Sequence, residues 1–183
     1  MILPAPRRAT PGDAQTLSAL GRLTFTETFG HLYPPDHLAS FLDGAHTPER
    51  YADWTADRAY ALWVAELDGE TIGYAMAGPC HLPHPEVTEA CGELWRIYVR
   101  RDRQGLGLGA TLLATSLQWL ETPGRRLWLG VWSENFGAQR LYARHGFAKV
   151  GEYDFLVGET RDREFIFRRE PGAASASAGN NLD

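Results

Sequence analysis

Three glycines in five residues, Gly105, Gly107 and Gly109, follow a run that reads as a β-strand and precede one that reads as a helix. Inside a helix each glycine would cost about 1 kcal/mol, so the cluster asks for a reason. Without Cβ atoms, the segment Gln104-Gly105-Leu106-Gly107-Leu108-Gly109-Ala110 lets the backbone approach a ligand and aim successive N–H groups at it. Those groups, with the positive end of the helix dipole, suit an anion such as a pyrophosphate. Arg100, Arg101 and Arg103 add positive charge nearby. A P-loop would need Lys and Ser/Thr after its last glycine, and Ala110-Thr111 stands there instead. Gly105-x-Gly107-x-x-Ala110 formally matches the dinucleotide fingerprint, yet only about 60 ordered residues follow it, too few for a Rossmann domain. Asn135 and Tyr142, seven residues apart, lie two helical turns or about 10.5 Å from each other and share one face. Cys80-His81-Leu82-Pro83-His84 crowds its ligand-type residues around a proline and matches no standard zinc spacing, so no metal is expected. His145, at a helix C-terminus, reads as a dipole partner rather than a base.

Recognisable elements must position these groups. Ile2 to Arg8 reads as a short edge strand and Thr10-Pro11-Gly12-Asp13 as a helix start. Asp36 to Leu42 forms a second short helix, and Thr47-Pro48-Glu49 opens a third carrying Tyr51 and Trp54. Ala61 to Leu67 and Thr71 to Ala77 are strands joined by Asp68-Gly69, a hairpin signal. Gly78 to Pro85 is a loop, and Glu93 to Arg100 a strand running into the glycine turn. Leu106, Ala110, Leu113, Leu117 and Leu120 form a helical stripe. Arg126 to Trp132 is a strand, Asn135 to Arg144 a helix stopped by Gly146, and Phe147 to Val157 and Glu164 to Arg169 are the last strands. The expected architecture is one α/β domain, residues 1–170, with a mixed, mostly antiparallel sheet, flanking helices and one parallel strand–helix–strand crossover. Residues 171–183 read as a disordered tail.

At 183 residues and 44% hydrophobic content, the chain can build a core without disulfide or metal staples. Its net charge is −5, and Lys149 is the only lysine among 18 basic residues, so a nucleic-acid partner is not expected. Two cysteines, no CxxC, no signal segment and no long apolar run point to a reducing cytoplasm and no membrane partner.

Gln104-Gly-Leu-Gly-Leu-Gly109 resembles the Gln/Arg-x-x-Gly-x-Gly/Ala signature of the GNAT superfamily of acetyl-CoA-dependent N-acyltransferases. Asn135-Phe-Gly-Ala138-Gln-Arg-Leu-Tyr142 followed by Gly146-Phe147 is similar to that family's second signature, in the family's order and spacing. Thr26 to Gly30, Glu93 to Val99, Leu129 to Asn135 and Phe155 to Gly158 with Asp162 look like the bacterial spermidine/spermine branch. The segment from Cys80 to Cys91 departs from it. The resemblance implies a GNAT-type fold, acetyl-CoA as acyl donor, and a small amine, with a polyamine in view, as acceptor for a monomer or homodimer. A peptide N-terminus as acceptor, or a module that binds acetyl-CoA without turnover, are the alternatives. It further implies that Ile97, Tyr98 and Val99 hold the pantetheine arm, that the amides of Gln104 to Ala110 hold the pyrophosphate, and that Asn135 contacts the arm. Tyr142 would protonate the departing thiolate, whose pKa of roughly 8.5 to 10 suits a phenol near 10. An amine of pKa near 10.4 is only about one part in 10³ neutral at pH 7, a deficit of roughly 4 kcal/mol. Glu93 is the first candidate to relieve it and Glu27 the second, with Glu27, Phe29 and Tyr98 lining the acceptor cleft.

Overall fold

The computed structural model describes residues 5–173. Strand β1 (Arg7–Arg8) pairs antiparallel with Trp63 and Val64. Among the described residues of the expected edge strand, Arg7 and Arg8 alone pair in the sheet, and residues 1–4 lie outside the described part. Asp13 accepts the Thr10 N–H at 2.8 Å and the Thr10 hydroxyl at 3.0 Å, fixing the turn that enters α1 (Ala14–Phe29). Proline starts both α2 (Pro35–Ala45) and α3 (Pro48–Ala56), where it sacrifices no helical hydrogen bond. In α3 the Thr47 hydroxyl also accepts the Arg50 N–H at 3.3 Å. Asp68 and Gly69, at φ of 53° and 82°, make the tight turn between β2 (Ala61–Leu67) and β3 (Glu70–Pro79). Gly78 and Pro79 thus belong to β3 rather than to the following loop.

The second half of the chain supplies β4 (Gly92–Val99), α4 (Leu108–Leu120), β5 (Leu127–Trp132), α5 (Phe136–Arg144), β6 (Ala148–Val157) and β7 (Thr160–Arg169). Among the described residues seven strands join one sheet in the order β1-β2-β3-β4-β5-β7-β6, antiparallel throughout except for β4 and β5. Helix α4 starts at Leu108 because Gly107 has a φ of 84°, left-handed backbone that a helix cannot contain. Leu106 is therefore 40% exposed and Ala110 also faces solvent, so neither belongs to the expected stripe. The buried stripe is Leu108, Leu112, Leu113, Ser116, Leu117 and Leu120. It packs on Ala75, Leu94 and Leu129 from one face of the sheet. Truncating a fully buried leucine there, such as Leu113, would cost about 2–5 kcal/mol. The opposite face holds α1 and α3, whose Leu17, Leu20, Tyr51 and Trp54 meet Leu62, Val64, Tyr74 and Met76. Among the described residues no helix is long and apolar enough to cross a membrane. The tail expected from residue 171 lies, for 174–183, outside the described residues.

One irregularity decides what the sheet can hold. Met76 pairs with Arg96 but Ala77 pairs with Leu94, so Trp95 is an extra residue in β4, a β-bulge. Pairing of β4 with β5 ends at the same place, with Leu94 opposite Leu129. Beyond it the two strands part.

Candidate active site

The parted stretches, Trp95 to Tyr98 of β4 and Gly130 to Trp132 of β5, line a cavity of about 280 Å³. Gly73 to Ala75 of β3 pair with Ile97, Tyr98 and Val99 on one side, and β5 no longer pairs with the other. Backbone amides and carbonyls are thus exposed along the gap, as at an open sheet edge. At the far end of β4 lies the glycine turn. Gly105 and Gly107 hold φ of 79° and 84°, and the Gln104 side-chain amide donates to the Val99 carbonyl at 3.1 Å. The first helical bond of α4 runs from the Thr111 N–H to the Gly107 carbonyl at 3.1 Å. The N–H groups of Leu108, Gly109 and Ala110 therefore sit at the open end of the helix, as an anion site requires.

The neighbouring arginines add less to that site than their number suggests. Arg100 pairs with Glu70 at 3.1 Å and with Asp102 at 3.0 Å, and Arg103 lies 3.5 Å from Asp102. Arg101 donates its backbone N–H to the Glu27 carboxylate at 3.0 Å and its guanidinium to the Glu27 carbonyl. Glu27 is accordingly a tie between the end of α1 and the approach to the glycine turn, and it does not line the cavity. Phe29 and Tyr98 do line it.

Two sides of the sheet meet at the gap. Tyr142, 9% exposed, belongs with the α4-side core and sets its ring against Phe147 at 6.2 Å. Burial, with the charge of Glu164 adding to it, pushes its hydroxyl up to about 12, so it stays protonated throughout the physiological range. Asn135 caps α5, its side-chain oxygen accepting the Ala138 N–H at 3.1 Å, which leaves its amide N–H₂ for other partners. Glu93 enters from the opposite side, 9% exposed, accepting the His81 N–H at 2.8 Å. Burial raises its carboxyl to about 7, helped by the charge of Glu164 and opposed by hydrogen bonds from His81 and Cys80. Near neutral pH it therefore changes protonation readily, the property a proton acceptor needs.

Further residues line the cavity, among them Phe29 and Asp162, which the sequence already marks. Glu164 of β7 accepts the Tyr153 hydroxyl at 2.5 Å, and burial, with Asp162 adding, raises its pKa. Gly130 makes room for it, since a Cβ there would lie 2.8 Å from Oε2 of Glu164. Asp162 accepts the Tyr33 hydroxyl. Phe25, Phe29, Phe41 and Phe155 form an apolar wall, and Arg96 and the buried His46 complete the lining. Burial, and the nearby Arg96, Arg22 and Arg50, lower His46 to about 3, so it is neutral. The one available signal for Glu164 is strand alternation, which puts it two residues from the buried Ile166 on the same face. Cys80 and Cys91 pack with Leu82, Trp128 and Ile166. Among the described residues no group of three or more His, Cys, Asp or Glu side chains is arranged to hold a metal ion.

The model of the Acetyltransferase (GNAT) family matches residues 26–147. An uncharacterised N-acetyltransferase of Lactobacillus delbrueckii subsp. lactis is 30% identical over 162 residues, covering 86% of this chain and 91% of that protein. The spermine/spermidine N(1)-acetyltransferase of Bacillus subtilis is 34% identical over 92 residues, 48% of this chain and 59% of that protein. Among solved structures, the PaiA N-acetyltransferase of Thermoplasma acidophilum in complex with coenzyme A has the same fold. It superposes with a TM-score of 0.70 at 17% identity, covering 93% of this chain and 99% of that one.

Proposed function

Since the chain belongs to the Acetyltransferase (GNAT) family, we propose that it transfers the acetyl group of acetyl-CoA to a primary amine of a small molecule, by direct attack in a ternary complex. The observation that carries this reading is the gap between β4 and β5, which opens at a glycine turn and contains both Tyr142 and Glu93. A pantetheine arm brings amides that need partners, which the free edge at Ile97, Tyr98 and Val99 offers. A pyrophosphate needs donors, which Gln104 to Ala110 and the start of α4 offer. Asn135 has amide hydrogens free for the arm. That a protein of the same fold holds coenzyme A supports the ligand class. When bound, acetyl-CoA would supply an activated thioester.

The residues then divide the proton work. Glu164 and Asp162 hold an incoming ammonium by charge, and Glu93, poised near pH 7, accepts its proton directly or through a water. Tyr142, neutral in the working range, donates to the departing sulfur. Both faces of the sheet are needed, because acceptor and donor groups come from opposite sides of it.

The half-length match to the Bacillus protein and the cavity carboxylates favour a polyamine acceptor, whereas Arg96 in the same cavity opposes a polycation. The test is thiol release from acetyl-CoA against a panel of polyamines, amino acids, simple amines and peptide N-termini. Saturable, amine-dependent release supports the proposal. Tight acetyl-CoA binding without release for any acceptor would replace it with a binding module that does not turn over.

A further inference from the structure

Resting on that acetyl-transfer reading, we propose that the acceptor is a primary amine that also carries a carboxylate, and that Arg96 is the residue selecting it. Arg96 follows the bulge at Trp95, opposite Met76 of β3. Glu93, Arg96 and Tyr98 pair with Gly78, Met76 and Tyr74, three positions of one face, so the bulge brings an acid and a base three residues apart to the same side. Without the extra residue they would point to opposite faces.

The guanidinium is held flat but left without an anion. Its carbon lies 5.1 Å from the Trp54 ring centre and 5.9 Å from that of Tyr51. Nη1 donates to the Tyr51 hydroxyl at 3.2 Å, and Tyr51 in turn bonds Tyr74 and His46, each at 2.9 Å. All these partners are uncharged. Among the described residues no carboxylate pairs with Arg96, in contrast to the buried Arg169, which pairs with Glu121. A guanidinium has five N–H donors in a fork that fits a carboxylate. Among the described residues Nε and Nη2 of Arg96 have no hydrogen-bond partner, yet neither is a sealed, unsatisfied atom, and the residue lines the cavity. Donors left free on a residue that lines the cavity can serve a ligand bound in it.

The same cavity has the opposite charge on its other side, at Glu93, Asp162 and Glu164. A zwitterionic acceptor matches both: its ammonium meets the acids and its carboxylate meets Arg96. A polyamine or an uncharged-tail amine would leave the guanidinium unpaired beside it, and a polyamine would add repulsion. A purely structural latch between α3 and β4 would need the stacking but not the free donors.

Matched acceptors test this directly. At saturating acetyl-CoA, kcat/KM is compared for lysine against cadaverine and for phenylalanine against phenethylamine, pairs that differ only in the carboxylate. The wild-type protein is expected to favour the carboxylate-bearing member by about 30-fold or more, the usual cost of leaving one partner of a buried charge pair unmatched. In Arg96→Met, checked for folding by its melting curve and for acetyl-CoA affinity by calorimetry, that ratio should fall toward one. Arg96→Lys, which keeps the charge but not the fork, should keep part of it. Preference for cadaverine and phenethylamine in the wild-type protein overturns the inference, whether or not the variants fold. So does an unchanged ratio in a folded Arg96→Met. Either result leaves acetyl transfer intact, whereas no transfer to any of the four, or to spermidine, defeats the underlying reading as well.

Discussion

Replacing Glu93 with glutamine should make the protein more stable and less active, and the stabilisation should depend on pH. Burial lifts the Glu93 carboxyl from an ordinary 4.5 to about 7 in the folded state. At 1.36 kcal/mol per unit, a shift of about 2.5 units is worth about 3 kcal/mol. Below pH 4.5 the group is protonated in both folded and unfolded chains, so it imposes no penalty. Between 4.5 and about 7 the unfolded chain ionises while the folded one resists, and wild-type stability falls through this group. Above about pH 7 the full penalty of about 3 kcal/mol is present. Glutamine cannot ionise, yet its carbonyl oxygen can still accept the His81 N–H that Glu93 accepts at 2.8 Å. Urea denaturation of both proteins at pH 4.5, 6 and 8 should show the variant gaining on the wild type by up to about 3 kcal/mol across that range. Glu164 titrates in both, and its charge acts on Glu93, so the difference reports Glu93 together with its coupling to Glu164. A difference that stays constant with pH would refute the assigned burial penalty. On the activity side, kcat/KM should drop about 10²- to 10⁴-fold and lose a limb near pH 7. Full activity in the variant would transfer the base role elsewhere.

Three other substitutions probe separate parts. Tyr142→Phe keeps the ring against Phe147 and should lower kcat about 10²- to 10⁴-fold with little change in melting temperature, and retention of more than about a tenth of kcat where chemistry is rate-limiting would rule out the acid role. Gly107→Val puts a β-branched side chain at a φ of 84°, where acetyl-CoA should no longer approach, and unchanged affinity by calorimetry in the folded variant would contradict the pyrophosphate assignment. Gly21→Ala would set a Cβ 2.4 Å from both the His46 Nδ1 and the Tyr51 hydroxyl, so it should destabilise by about 1–3 kcal/mol in urea, and a neutral result would mean that α1 and α3 move apart freely.

Local signals made most of the fold legible. Thr10 and Thr47 before proline, Asp68-Gly69 between alternating runs and Gly146 after α5 each state a backbone conformation that one or two residues dictate. The errors came where geometry outruns pattern. Leu106 and Ala110 fit the spacing of the α4 stripe, but the left-handed Gly107 delays the helix by a residue type that periodicity does not weigh. Glu27 reads as a cleft residue between two phenylalanines, yet its carboxylate reaches across to Arg101, a pairing 74 residues distant in sequence. Tyr33 enters the site through a contact with Asp162 that is 129 residues distant in sequence, and nothing local marks it.

Trp95 shows why the site itself resisted reading. Strict alternation along β4 would set Leu94, Arg96 and Tyr98 on one face and Glu93, Ile97 and Val99 on the other. A shift of one residue flips every side chain beyond it, and the bulge imposes that shift midway along the strand. Leu94, Ile97 and Val99 then all face α4, while Glu93, Arg96 and Tyr98 all face α1 and α3. The same extra residue stands where β4 leaves β5, because a bulged strand bends and twists away from a straight neighbour. One inserted residue therefore opens the slot through the sheet, frees the backbone edge that lines it, and brings Glu93 and Arg96 to one side of it. Tyr142 reaches the slot from the other side, so on the proposed acetyl transfer a donor and an acceptor approaching from opposite faces would meet there.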